Sequence, residues 1–158
     1  MTDVNDQEAT LRTMATLQAT EEIKQLKARY FRFLDTRDWE SLVTVWAPEV
    51  ELDMTQAGGR VSKGLTPAGA LAYMQSRIGA TTSMVHHGHQ PEISLTSEGT
   101  ATGIWAFEDW LDWEGDAKSP DGYTHVHGCG HYHDRYILTS DGWRICYTAV
   151  TRLRSERR

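Results

Sequence analysis

The 158-residue chain is poor in the features of secreted, membrane-spanning or nucleic-acid-binding proteins. It has only two cysteines, Cys129 and Cys146, without CxxC spacing, and this favours a reduced, cytoplasmic protein. No apolar run approaches the ~18 residues of a membrane helix, and the polar N-terminus does not resemble a signal peptide. The formal net charge of -6 argues against nucleic acid or an anionic membrane as a partner.

The motifs of several common enzyme classes are also missing from the sequence. It contains no GxSxG, no Walker A motif, no GxGxxG after a predicted strand and no HExxH. We therefore expect neither a nucleotide-binding protein nor a serine hydrolase or zinc protease of these familiar types.

The composition that is present predicts one globular domain of ordinary size. Hydrophobic residues make up 39% of the chain and charged residues 24%. Six tryptophans and six tyrosines suit either a pocket for a flat apolar molecule or an aromatic core. We expect a flexible lead-in over 1–16, a single domain over 17–154 and a tail over 155–158.

Helical signals are confined to the first half of the chain. Asp38 has the position of an N-cap, and Thr66-Pro67 combines an N-cap with proline at the first helical position. We predict helices from Thr20, read as an N-cap, to about Leu34, from Trp39 to Trp46, where Pro48 follows, and from Ala68 to about Arg77.

The rest of the chain has the alternation of strands. Val50, Leu52 and Met54 alternate with acidic residues, and Arg60 to Lys63 can pair back as a hairpin. Longer strands are predicted over 83–95, 100–113, 123–139 and 142–153. The resulting fold class is α+β, with three helices packed on a curved, mostly antiparallel sheet whose concave face can hold a ligand.

The stretch from Met84 to Trp110 carries a base at one end and an acid at the other. A turn over 96–99 brings these ends side by side on adjacent strands, so His86 is predicted as a general base. His87 should point to the opposite face, although a register slip would exchange the two. An orienting carboxylate could be Asp35 or Asp109; an acid such as Asp35 in a last helical turn opposes the helix dipole and needs another reason to be there.

Further pocket candidates share a face with these residues. Alternation places Gly103, Trp105, Phe107 and Asp109 together, and a carboxylate among aromatic rings is expected to favour its neutral, acidic form. Tyr30 can donate a phenolic hydrogen bond, or it can be a core tyrosine. Arg152 could hold a carboxylate or enolate, although a surface arginine is the commoner case.

All seven histidines lie in two predicted strands. Alternation puts His125, His127, His131 and His133 on one face with Cys129. They could bind a metal ion, or one or two could be pocket acid–base groups while the others are exposed or hydrogen-bonded. The HxH pattern on a strand is a weak metal signal, and the second interpretation is favoured.

Three segments together resemble a known family. They are YFRFLDTRDW from Tyr30, VHHGHQPEI from Val85, and GHYHDRY from Gly130 with DGWRI from Asp141. This pattern resembles the nuclear transport factor 2-like superfamily, in its polyketide-cyclase-like (SnoaL-like) branch, which includes scytalone dehydratase, bile acid 7α-dehydratase and lindane dehydrochlorinase. The resemblance covers about 20–152. It implies a cone-shaped α+β barrel with a deep pocket, in a homodimer or homotrimer.

The resemblance also implies roles for individual residues. The catalytic dyad of these lyases falls on His86 as base and Asp35 as its partner. The pocket tyrosine falls on Tyr30, and the polar position of the following strand on Asp109. The serine and asparagine of scytalone dehydratase fall on His131 and His133, which is a departure, and the basic residue of the last strand falls on Arg152. Together with Trp105 and Phe107, which strand alternation provides, these are the predicted substrate-binding residues. No cofactor is implied.

Our leading hypothesis from the sequence is a cofactor-independent dehydratase or isomerase. His86 would abstract a proton from a small, mostly apolar cyclic or polycyclic substrate. The alternatives are a non-catalytic small-molecule-binding subunit of the same fold and, with weaker support, a metal-dependent enzyme that uses the paired histidines.

Overall fold

The computed structural model describes residues 4–79 and 82–158, and these residues form three α-helices and one six-stranded sheet. The helices are α1 (Val4–Asp35), α2 (Trp39–Leu42) and α3 (Pro67–Ile78). The strands are β1 (Trp46–Asp53), β2 (Val61–Leu65), β3 (Thr82–Ser97), β4 (Thr100–Trp113), β5 (His125–Thr139) and β6 (Gly142–Arg157). Short 3-10 turns follow α2 at Val43–Val45 and β1 at Thr55–Ala57. In the described part of the chain, no helix has the length and apolar character that crossing a membrane requires.

Helix α1 begins far earlier than the sequence predicts. Residues 4–16, expected to be an irregular lead-in, are helical, and residues 1–3 lie outside the described part. Thr20 is not an N-cap, because its hydroxyl donates to the carbonyl of Thr16 inside the helix, at 2.8 Å. Such bonds four residues back occupy the hydroxyl that a cap would use. This half of α1 is exposed and so carries no apolar period from which it could be predicted.

The second helix is shorter than predicted. α2 ends at Leu42, the 3-10 turn carries the chain to Val45, and Pro48 lies inside β1 rather than ending a helix. The pairing of β1 with β6 is irregular between Trp46 and Glu51, which is where a proline can be accommodated in a strand. The predicted Asp38 cap is confirmed, since its side chain accepts from the Ser41 N–H at 3.1 Å.

The sheet has the strand order β2-β1-β6-β5-β4-β3. Within the described residues, β1 and β6 run parallel and the other neighbouring pairs are antiparallel. The α+β class and the mixed, mostly antiparallel sheet are therefore confirmed. The sheet is curved but open, since β2 and β3 lie at its two edges. β6 continues to Arg157, so 155–157 belong to a strand and not to a tail.

One face of the sheet, here called the inner face, packs against α1. Helix α1 buries Ile23, Leu26, Tyr30 and Leu34, a helical spacing of apolar side chains, against this face. On β4 the predicted set Gly103, Trp105, Phe107 and Asp109 is buried on the inner face, while the intervening side chains are more exposed. The opposite, outer face carries the alternate residues of the strands. The inner face is therefore where a site could be shielded from water.

Candidate active site

His86 and Asp35 meet where the end of α1 lies against β3. The His86 Nδ1 atom is 2.6 Å from Asp35 Oδ1, and the His86 backbone N–H donates to Asp35 Oδ2 at 2.9 Å. The imidazole is 6% exposed and the carboxylate 20%. Both carboxylate oxygens are thus held by one residue, 51 positions along the chain. This contact also supplies the reason that the sequence left open for an acid at the end of α1.

The arrangement selects one form of the neutral His86 ring. An ionised carboxylate can only accept, so Nδ1 must carry the hydrogen that it donates to Asp35. Nε2 then keeps its lone pair and is the nitrogen that can accept a proton. His87 is on the outer face, where its ring meets Trp110 edge-on at 5.5 Å between centroids. The register that places His86 rather than His87 inward is therefore the one predicted.

Asp109 is the cross-strand partner of His86, and it forms an ion pair with Arg152. The two Arg152 Nη atoms lie 2.5 and 2.6 Å from the two Asp109 oxygens. Such a bidentate pair is the geometry of an ionised carboxylate. The structure therefore differs from the expectation of a neutral acid at Asp109. Arg152 is not a surface arginine either, because its side chain is only 12% exposed.

Two glycines make this ion pair possible. Arg152 is on β6 and Asp109 on β4, so the arginine side chain must cross β5, which lies between them. It crosses at Gly128 and Gly130, the β5 partners of Asp109 and Arg152 respectively. A Cβ atom at Gly128 would collide with Arg152 Nη1. The glycines are therefore required by the close approach of a side chain.

Aromatic rings surround the dyad on its buried side. The Phe31 ring stacks on His86, with 6.2 Å between centroids and 14° between planes. Tyr132 meets Tyr30, Phe31 and Phe107 at centroid distances of 6.2, 5.5 and 4.6 Å. Burial raises the pKa of the Tyr30 and Tyr132 phenols above their ordinary value. Both hydroxyls therefore keep their protons at neutral pH and can donate hydrogen bonds.

Trp105 and Phe107 are in the core of this inner layer. The Trp105 indole N–H donates to the Tyr136 hydroxyl at 2.9 Å, and the Phe107 ring lies 5.1 Å from the Arg152 guanidinium carbon. Both side chains are therefore buried core residues, with Trp105 fixed by a hydrogen bond, and their role in substrate binding stays a prediction.

A buried ion pair of Lys27 and Asp134 lies behind the tyrosines. Lys27 Nζ is 2.8 Å from Asp134 Oδ2, and both side chains are fully buried. Asp134 also accepts from Thr148 at 2.6 Å and from Tyr136 at 2.8 Å. The Lys27 ammonium lies 3.8 Å from the Tyr132 ring centroid. Burial lowers the pKa of Lys27, and the charge and hydrogen bond of Asp134 oppose that shift.

Lys27, Asp134 and Tyr132 are not among the predicted site residues, although the sequence carries signals for them. Lys27 falls on the same helical face as Ile23 and Tyr30. Asp134 and Tyr132 alternate with the histidines of β5 and therefore had to share the opposite face. The buried face of β5 carries these residues, whereas we singled out the histidines.

The β5 histidines lie on the outer face, as a set, away from His86. His127 stacks on Trp110 at 4.5 Å and contacts Glu108 at 3.0 Å, while His125 contacts Asp112 at 2.5 Å. The His131 and His133 rings are 6.4 Å apart, and His133 is bonded to Thr151 at 2.9 Å. These last two residues do not join the dyad. Among residues 4–79 and 82–158, no group of three His, Cys, Asp or Glu side chains is arranged to hold a metal ion.

A cavity of about 90 Å³, here called the mouth cavity, lies beside Arg152, between the end of α3, the loop that joins β4 to β5, and the last part of β6. Apolar residues form much of its wall; they are Ala57, Ile78, Leu111, Trp113, Tyr123 and Val126. The chain of contacts from this cavity runs through Arg152 to Asp109, the cross-strand partner of His86.

Comparison with known protein families identifies the class of protein to which this fold belongs. Residues 15–149 match the family described as SnoaL-like domain. The chain belongs to this family, within the nuclear transport factor 2-like superfamily. The resemblance predicted from the sequence is thereby confirmed.

Solved structures extend the comparison. Hexachlorocyclohexane dehydrochlorinase LinA-type3 from Novosphingobium barchaimii has a TM-score of 0.73 and 16% identity, over 92% of this chain and 94% of that one. A candidate scytalone dehydratase from Novosphingobium aromaticivorans gives 0.73 and 15%, over 92% and 91%. An NTF2-like protein with a cystatin-like fold from Novosphingobium aromaticivorans gives 0.69 and 23%, over 97% and 92%. At these identities the likeness shows the fold.

Proposed function

We propose that the protein is a cofactor-independent lyase or isomerase, with a dehydratase activity as the preferred form. The observation that carries the proposal is the contact of 2.6 Å between His86 Nδ1 and Asp35 Oδ1. A buried imidazole whose tautomer is set by a carboxylate is the arrangement of a general base. The substrate class that we propose is a small, mostly apolar cyclic or polycyclic molecule, in keeping with the aromatic inner layer.

The first chemical step would be proton abstraction by His86. Nε2 takes a proton from a carbon next to an activating carbonyl, and Asp35 stabilises the imidazolium that forms. The electron pair of the broken C–H bond forms a carbon–carbon double bond as a hydroxyl leaves the neighbouring carbon. The proton held by His86 departs with that hydroxyl as water. In an isomerisation the same proton would return to a different carbon.

Neighbouring donors can assist the developing negative charge. Tyr30 and Tyr132 hold their phenolic protons because burial raises both pKa values, so each can donate to an oxyanion. Arg152, held by Asp109, places a fixed positive charge at the mouth side of the same inner layer. The Phe31 ring, which is stacked on His86, is part of the apolar surroundings that such a substrate would meet.

The experiment is a screen of hydroxylated cyclic ketones in deuterated water. The wild-type protein should eliminate water from its substrate or incorporate deuterium at the acidic carbon. We expect His86→Ala and Asp35→Asn to lower the rate by at least about 10²-fold, the usual contribution of a positioned base. His87→Ala is the matched control, because its ring lies on the outer face. Turnover that survives His86→Ala unchanged would refute the proposed base.

A second candidate function is binding without turnover. The closely packed Phe31 and the small exposure of His86, 6%, favour it, since they leave little space at the dyad. A compound that binds stoichiometrically, is recovered unchanged and gains no deuterium would support this candidate. Deuterium incorporation that depends on His86 would exclude it.

The assembly that we propose is a homodimer or homotrimer, as the family resemblance implies. Val85 and Ile104 are exposed apolar residues of the outer face and would be covered in such an assembly. Light scattering on the purified chain should give twice or three times its mass of 17.9 kDa. A monomer at micromolar concentration would contradict this.

A further inference from the structure

The mouth cavity beside Arg152 has a charge that contrasts with the chain as a whole. Its lining includes three arginines, Arg77, Arg152 and Arg157, and one acid, Asp121. The chain carries a formal net charge of -6. A concentration of guanidinium groups around a small cavity in an acidic protein points to an anionic ligand.

One of these arginines, Arg77, is already paired with a carboxylate of the protein itself. Arg77 Nη2 donates to Asp121 Oδ2 at 2.7 Å and to the Gly58 carbonyl at 2.6 Å. Asp121 lies on the loop between β4 and β5, and its side chain is 41% exposed. Displacement of this exposed carboxylate would leave the bond from Arg77 to the Gly58 carbonyl intact. The Arg77 position is thus one at which a carboxylate can be exchanged.

The other two arginines are placed to complete such a site. The Arg157 guanidinium lies 5.3 Å from the Tyr123 ring, which also lines the cavity. Arg152 gives its two Nη atoms to Asp109, while its buried Nε has no hydrogen-bond partner among the described residues.

The shape of the cavity limits what the anion can be attached to. Its volume of about 90 Å³ fits a carboxylate, and Leu111, Trp113 and Tyr123 offer a flat apolar wall beside it. We propose that the mouth cavity binds an organic carboxylate, so that the substrate of the site carries an acid group on its apolar ring system. The Asp121 carboxylate pairs with Arg77 when no ligand is bound, and the carboxylate of the ligand replaces it there. That this carboxylate belongs to the substrate rests on the proposed function, whereas the carboxylate-binding site itself does not.

The test uses 2-naphthoate as the probe and its neutral isostere 2-naphthamide, with affinities from isothermal titration calorimetry at low salt. Naphthoate should bind at least about 10-fold more tightly than the amide, since a charged partner is required at the arginines. Arg157→Gln should weaken naphthoate binding by about 5-fold and leave the amide unchanged, the magnitude of one partly exposed ion pair. Arg154→Gln is the matched control, because it removes an exposed arginine of the same strand that does not line the cavity.

The direction of the change in naphthoate affinity in Asp121→Asn distinguishes competition for Arg77 from a purely structural role of Asp121. Removal of the competing carboxylate should tighten naphthoate binding by about 3-fold, whereas Arg77→Gln should weaken it. Equal affinities for the acid and the amide, or naphthoate binding indifferent to both Arg157→Gln and Asp121→Asn, would overturn the proposal. The His87→Ala protein, which is altered on the outer face, should bind naphthoate as the wild type does. A failure of the catalytic proposal would therefore appear as normal binding without turnover, and a failure of this one as turnover without naphthoate binding.

Discussion

Asp35 accepts two hydrogen bonds from the same residue, one from the His86 ring and one from the His86 backbone N–H, at 2.6 and 2.9 Å. The backbone bond fixes the carboxylate, and the fixed carboxylate orients the ring. A helix end and an edge strand are joined at this point, so the position of the base is set by the packing of α1 on β3.

Replacement of Asp35 by asparagine separates orientation from charge. In Asp35→Asn the side-chain oxygen can still accept from the backbone N–H, but the amide no longer stabilises an imidazolium. We expect kcat to fall by about 10²- to 10⁴-fold with a small change in KM, as for other acid–imidazole pairs. Steady-state kinetics on the substrate from the ketone screen measures this. A rise in KM with kcat unchanged would show that Asp35 acts in binding.

The buried pair of Lys27 and Asp134 predicts a strong coupling in stability. Both side chains are fully buried, so Lys27→Met leaves Asp134 as an uncompensated charge. We expect a loss of about 3–5 kcal/mol in the free energy of unfolding. The double variant Lys27→Met/Asp134→Leu should lose less than the sum of the two single variants, in urea denaturation.

Lys24→Met is the control for this cycle, because Lys24 is exposed on the same helix, one turn earlier. It should change the unfolding free energy by less than about 0.5 kcal/mol. Additive losses in the double variant would mean that the two charges do not interact as the structure has them.

Buried tyrosines predict a loss of stability in alkali. Burial is the first cause that raises the pKa of Tyr30, Tyr132 and Tyr136 above the ordinary value of 10.0. Each folded pKa therefore lies above the unfolded one, and the associated stability is intact below pH 10.0 and is lost as pH rises above it. Ultraviolet absorbance should show three of the six tyrosines ionising only when the protein unfolds.

Tyr123→Phe is the matched control for the alkaline titration, because Tyr123 is outside the buried layer. This variant should keep the late-ionising groups, because it leaves Tyr30, Tyr132 and Tyr136 unchanged. Six tyrosines that titrate together in the folded protein would contradict the burial of the inner layer.

Substitution of Gly128 is expected to disturb the Arg152–Asp109 ion pair by steric collision. In Gly128→Ala the new Cβ would meet Arg152 Nη1 and push the guanidinium from Asp109. Overpacking of this kind costs about 1–3 kcal/mol, which thermal unfolding can measure. Gly99→Ala is the control, since a Cβ there has only the Leu138 Cβ nearby, at 4.0 Å. If Gly128→Ala is as stable as the wild type, the Arg152 side chain does not depend on the space at Gly128 to reach Asp109.

The part of the site that the sequence predicts is the part set by local rules. Alternation in β4 correctly groups Trp105, Phe107 and Asp109, and turn residues place the ends of the long strands within four residues of those observed. Asp35 is recognised because an acid at a helix end conflicts with the helix dipole. Its contact with His86, 51 residues away, was predicted as one of two alternatives and is found in the structure.

The remaining features depend on which face of each strand is buried and on pairing across strands. Alternation groups His131 with His133 but does not tell whether that face is inner or outer, and the structure places it outside. The Arg152–Asp109 pair needs β4, β5 and β6 in register, with Gly128 at the crossing point. An exposed helix such as residues 4–16 gives no apolar period. These features are set by tertiary packing.

The most direct test of the account is the tautomer of His86, read by nitrogen-15 NMR of the imidazole at a pH where the ring is neutral. The structure predicts a protonated Nδ1 that is hydrogen-bonded to Asp35 and an unprotonated Nε2, with that preference weakened in Asp35→Asn. A neutral ring with its hydrogen on Nε2 would leave no lone pair for the substrate. That result would contradict His86 as the base.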